Sequence, residues 1–154
     1  MDIDNIFSSL IKEIGYQNNK TVVINKVVMN SKEVEKNNLF VAIRGGNAYA
    51  NEALEKGAFV IYDDNTINLN SNPNSFLVDD SVKFMQKLAH QWRNTLNIKI
   101  IGITGSNGKT TVKDMVFQLL STKYKGKKTE GNYNNHIGLP FTLLRSEKND
   151  DFMV

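Results

Sequence analysis

The chain has 154 residues, 19 basic against 16 acidic side chains for a net charge of +3, and 40% hydrophobic residues. That length holds one domain or two small ones, and that composition excludes a wholly disordered chain. The absence of cysteine excludes disulfides, thiol nucleophiles and cysteine-held zinc, and two histidines, His90 and His136, are too few for a His-rich metal site. No 20-residue apolar run is present, and the start, MDIDNIF, is acidic where a secretion signal would be basic. The expectations are a cytoplasmic, monomeric protein with no membrane insertion. Nucleic-acid binding is not expected either, because the basic residues are dispersed apart from the run Lys123–Lys128.

Apolar side chains at Ile3, Ile6, Phe7, Leu10, Ile11 and Ile14 form one stripe of a helix that Gly15 can close. Thr21–Val28 is β-branched and reads as a strand. Leu39–Ile43 is a short apolar run before the turn Arg44-Gly45-Gly46, Ala48–Lys56 reads as a helix, and Ala58–Tyr62 reads as a buried strand. Residues 63–75 are polar and read as a loop or an exposed edge, followed by a strand at Phe76–Val78. Asp80 or Ser81 can cap a helix that buries Val82, Met85, Leu88, Ala89, Trp92 and Leu96. A change of character near Asn97 sets the expected boundary between a domain of residues 1–96 and one of residues 97–154. Ile98–Ile103 is a strand leading into TGSNGKTT, and the next helix carries Val112, Met115, Val116, Leu119 and Leu120 on one side. A strand starting near Lys125–Glu130, the turn-rich loop GNYNNHIGLP and a helix from Phe141 come next. The last residues, Asp151–Val154, read as the first half of a strand, which points to a piece of a longer protein. The alternation of strands and helices predicts an α/β architecture in both halves, with a mainly parallel sheet in the second.

The chemistry concentrates at Thr104–Thr111. A strand, a glycine-rich turn, Lys-Thr and a helix in that order form a cradle for phosphates. The glycines let backbone N–H groups of Gly105, Ser106, Asn107 and Gly108 face an anion, and the helix that begins near Lys109 adds its positive end. Lys109 can reach the β- and γ-phosphates, the backbone from Gly105 to Thr111 adds to the neutralisation, and the hydroxyl of Thr110 can ligate Mg²⁺. The widespread GxxxxGK[ST] spacing is not met, since position 103 is Ile103, and the loop is closed by Gly102, Gly105 and Gly108.

TGSNGKTT in this shorter glycine spacing, IIGI before it and Lys113-Asp114-Met115 after it resemble the ATP-binding loop of the Mur ligase family, the ATP-dependent amide ligases of peptidoglycan precursor synthesis. TEGNYNNHIGLPFTLL is similar to the branch of that family that adds D-alanyl-D-alanine. NSKEVEKNNLFVAIRGG and ALEKGAFVIY are similar to the family's UDP-binding domain. The family's usual Ser-Arg pair is Ser31-Lys32 here, and NAYANEAL stands in place of Asp-Gly-His-x-Phe. The resemblance implies a small N-terminal UDP-binding α/β domain followed by the start of a P-loop ATPase domain. It implies ATP and Mg²⁺ as cofactors, and UDP-N-acetylmuramoyl-tripeptide and D-alanyl-D-alanine as substrates joined through an acyl phosphate. It implies Lys109 as the catalytic residue, and Ser31, Asn132, Asn134 and Asn135 as substrate contacts. Another amide ligase of the family, and a nucleotide- or UDP-sugar-binding module without chemistry of its own, remain alternatives.

Overall fold

The computed structural model describes residues 2–17, 21–131, 133 and 135–154. They form two compact units that divide between Leu88 and Ala89. The division lies earlier than the 96/97 boundary read from composition. Composition marks the end of the helix Ser81–Thr95, whereas the second half of that helix packs with residues later in the chain: the Trp92 indole donates to the Ser146 carbonyl at 3.1 Å.

The first unit is a four-stranded parallel sheet in the order β1 (Lys26–Val28), β2 (Asn38–Val41), β3 (Phe59–Tyr62), β4 (Ser75–Leu77). β2 and β3 are buried at every position. Such strands are covered on both faces, which is why they read as unbroken apolar runs and not as alternating ones. One face carries Val28, Phe40, Val60 and Tyr62 against Ala50, Ala53 and Leu54 of α2 (Ala50–Glu55). Against the other lies α1 (Ile3–Glu13), with Ile6, Phe7, Leu10 and Ile11 inward. The Phe7 ring meets Phe76 edge-on at 5.4 Å and Phe84 of α3 (Ser81–Thr95) at 6.0 Å.

Two expectations are corrected here. The strand expected over 21–28 pairs only from Lys26: Val22 and Ile24 are buried, but the Ile24 N–H donates to the Asp4 carboxylate at 2.8 Å instead of to a strand. Apolar patterning reports burial, not pairing. In α3, Val82 is half-buried and Phe84 is buried in its place. Asp80 is the cap, accepting from the Lys83 N–H at 2.9 Å.

In the second unit, β7 (Phe152–Met153) lies between β5 (Lys99–Ile100) and β6 (Gly126–Lys127), parallel to both. The strand expected over 98–103 is thus short, although the Ile101 N–H still donates to the Met153 carbonyl at 2.8 Å. A side chain at position 126 would meet the Phe152 ring at 2.5 Å, so the sheet closes there only over glycine. α4 (Lys109–Ser121) and α5 (Gly138–Leu144) complete the unit. The inward face of α4 differs from the expected one: Lys113 is buried and Phe117 lies 5.9 Å from Phe152, while Val112, Met115 and Leu119 are 45%, 63% and 72% exposed. Apolar residues are spread around this helix, so their spacing does not single out one face.

Phe7→Ala removes a fully buried ring from the centre of the first unit. A loss of about 3–5 kcal/mol is expected in urea unfolding followed on that unit. In the second unit, hydrogen bonds from Lys125 (2.9 Å) and Lys127 (3.0 Å) hold the Glu147 carboxyl well below its ordinary 4.5, at about 2. A depressed carboxyl stabilises the fold above its unfolded value, and that stabilisation is lost as pH falls from about 4.5 towards 2. Thermal midpoints should therefore fall more steeply over that range in the unaltered chain than in Glu147→Gln. The difference should shrink in salt because the pair is half exposed.

Candidate functional site

β5 feeds the loop 101–108, and the loop ends at Gly108 with φ +76°, immediately before Lys109 opens α4. Nothing lies within 4 Å of a Cβ built at Gly108, so the backbone conformation, not crowding, calls for glycine there. The Gly108 carbonyl accepts the first helical bond, from Val112 at 2.9 Å. The first turn of α4 carries no acidic side chain, so its N–H groups and dipole present a positive end undiminished by a carboxylate. The Lys109 ammonium folds back over the loop and donates to the carbonyls of Gly105 and Ser106, the latter at 3.4 Å. Gly105, Ser106, Asn107, Thr110 and Thr111 are exposed. A cation lies over a rim of exposed backbone at a helix N-terminus, an arrangement suited to a polyanion.

Beside the loop is a cleft of about 210 Å³ lined by Gly102, Ile103, Lys109, Thr110, Lys113 and Thr129, among others. Of the residues singled out in the sequence for phosphate, Lys109 and Thr110 line this cleft, while Gly105–Gly108 and Thr111 form or flank the loop. Two lining residues with polar side chains, Lys113 and Thr129, have no role assigned from sequence. Lys113 sits one helical turn after Lys109 on the same face, a spacing that was available as a signal. Thr129 is brought in by β6 and carries no such signal. Hydrogen bonding from Lys128 at 2.6 Å holds the Asp114 carboxyl below the usual range, and the Lys113 charge adds to this. Among the described residues no group of three or more acidic or histidine side chains is placed to hold a metal.

The expected substrate contacts fall in different places. Asn132 and Asn134 lie outside the described residues. Asn135 caps the turn that leads into α5: its side-chain oxygen accepts from the N–H groups of Ile137 (3.0 Å) and Gly138 (2.8 Å), and its carbonyl accepts from Leu139 at 3.1 Å. Ser31 belongs to the first unit, at the start of the 3-10 turn Ser31–Glu33, where its carbonyl accepts from Val34 at 3.3 Å. Asn135→Ala removes both side-chain bonds and should lower the stability of the second unit by about 1 kcal/mol in chemical unfolding.

Residues 103–154 match the family model of the Mur ligase middle domain. Over 137 residues the chain is 40% identical to the UDP-N-acetylmuramoyl-tripeptide–D-alanyl-D-alanine ligase of Bacillus subtilis, covering 86% of this chain and 30% of that protein. It is 37% identical to the enzyme of the same name from Synechocystis, covering 85% and 30%. The crystal structure of the MurF ligase of Thermotoga maritima in complex with ADP superposes with a TM-score of 0.73 at 36% identity, over 88% of this chain and 32% of that one. The MurF of Acinetobacter baumannii, at 22% identity, shares the fold with a TM-score of 0.79 over 98% of this chain. The chain spans about 30% of the length of the curated relatives it matches. The phosphate-cradling loop, the parallel sheets and the likeness across both units agree: the chain belongs to the Mur ligase family.

Proposed function

We propose that the protein carrying this chain is an ATP-dependent carboxylate–amine ligase that adds D-alanyl-D-alanine to UDP-N-acetylmuramoyl-tripeptide in the cytoplasm. The observation that carries the reading is the Lys109 ammonium poised over the Gly105–Gly108 loop at the N-terminus of α4, beside the cleft. The names of the relatives supply the two substrates, and the ADP bound to the Thermotoga enzyme supports the nucleotide.

A free carboxylate is a poor electrophile, so an amide cannot form from it directly in water. In the proposed reaction a carboxylate oxygen of the tripeptide attacks the γ-phosphorus of ATP, the bond to the β-γ bridging oxygen breaks, and ADP leaves. The amine of D-alanyl-D-alanine then attacks the acyl carbon, the C–O bond to phosphate breaks, and the amine gives up a proton. The first step is mainly positioning and charge neutralisation. Lys109 supplies a fixed positive charge at the phosphates, and the N–H groups of 105–111 and the dipole of α4 supply partial charges at the same place. To hold Mg²⁺ the described residues offer the exposed Thr110 hydroxyl at the cleft. This suits an ion that keeps several waters and takes phosphate oxygens as further ligands. Bound there, the ion would neutralise charge on the polyphosphate.

In the same reading, residues 1–96 recognise the UDP end of the acceptor, with Ser31 as a contact, and 97–154 belong to the ATP-binding domain. Asn132, Asn134 and Asn135 stand as proposed contacts to the reacting groups; the side-chain oxygen of Asn135 also accepts from the Ile137 and Gly138 N–H groups.

Calorimetry of the 154-residue chain with MgATP tests the nucleotide assignment. Lys109→Ala should weaken binding at least tenfold, about 1.4 kcal/mol, because the phosphates lose their main fixed positive charge. Equal affinity in the variant removes Lys109 from the reading. With all three substrates present, the chain alone is expected to bind nucleotide without forming pentapeptide product, since its relatives are about three times longer. Product above the level of the Lys109→Ala control overturns that expectation.

A further inference from the structure

Lys113 is the one lysine among the described residues that is buried, at 9% exposed. Its ammonium donates to the Thr129 carbonyl at 2.8 Å. The carboxylate of Asp114 lies 3.8 Å away and is itself engaged by Lys128 at 2.6 Å. Lysine is among the residues least often buried, and an ammonium taken out of water needs acceptors to offset the loss of hydration. A methionine would fill the same space without that cost. What it would lack is an N–H donor for Thr129.

The placement of Thr129 gives that donor a purpose. Its N–H donates to the Val154 carbonyl at 3.0 Å, so the residue is held through one backbone group by the residue that follows β7 and through the other by α4. Thr129 and Gly131 form part of the same cleft as Lys109 and Thr110. Gly131, at φ +50°, turns the chain away immediately afterwards. The bond from Lys113 therefore joins two walls of the cleft, the helix that carries Lys109 and the segment that leaves β6.

We propose that Lys113 is a positioning residue of the nucleotide cleft: its ammonium latches the 129–131 wall to α4 and so fixes the opening into which the polyphosphate fits. The proposal rests on the nucleotide reading above and adds a residue that touches protein, not ligand. A preformed opening spares the ligand the cost of ordering the wall when it binds. Any side chain long enough to reach Thr129 with a donor should serve, and any without a donor should fail.

The test compares Lys113→Met and Lys113→Arg with the unaltered 154-residue chain, by MgADP calorimetry and by amide hydrogen exchange over residues 126–131. Lys113→Met should bind MgADP about tenfold more weakly and exchange faster over 126–131. Lys113→Arg should stay within about threefold in affinity and keep the slow exchange. Should Lys113→Met fail to fold, Lys113→Gln replaces it with the same expectation, because its shorter stem falls short of Thr129. Equal losses in the Met and Arg variants overturn the latch, as does weaker binding with unchanged exchange, which would make Lys113 a direct ligand contact. If the unaltered chain binds no MgADP, the nucleotide reading fails. The exchange comparison then decides the latch alone, and unchanged exchange overturns it.

Discussion

The second unit depends on β7. Neither β5 nor β6 pairs with the other; each is tied to Phe152 and Met153. The Lys99 N–H donates to Asp151, that of Ile101 to Met153 and that of Thr129 to Val154, while the Val154 N–H donates to Lys127. The bonds to β5 set where the phosphate loop begins, and the bonds to β6 set where the opposite wall of the cleft stands. The loop chemistry is local, but its placement against the rest of the cleft is a property of this central strand.

The two units use the same parallel pairing to different depth. In the first, two four-residue strands are buried at every position and covered on both faces, so the core specifies the sheet strongly. In the second, β5 has two exposed residues and the sheet is only as wide as three short strands. Its order comes from side-chain ties around the sheet: Trp92 to Ser146, Lys113 to Thr129, and Lys125 and Lys127 to Glu147.

Much of this was legible in the chain. α1, α2, α3 and the two apolar strands β2 and β3 announce themselves by period and length, and TGSNGKTT announces both the loop and the family. The missed features share a cause. The lengths of β1 and β5, the inward face of α4 and the partner of Lys113 all depend on residues far away in sequence, and local pattern cannot report them. Asn135 shows the same dependence on neighbours: its place in a turn-rich loop does not reveal that its side-chain oxygen accepts from the Ile137 and Gly138 N–H groups.

The strand orders also fix the sequence of events during synthesis. In the first unit, spatial order tracks chain order from β1 to β4, so each strand can dock on the one before it as it emerges. In the second, the middle strand comes last. β5 and β6 have no partner until residues 152 and 153 leave the ribosome, more than fifty residues after β5 has appeared. Long-range pairing of this kind is slow to form and leaves strand edges open while it waits. By then every strand of the first sheet has been synthesised, while the phosphate loop, also synthesised, still lacks the strand that anchors it.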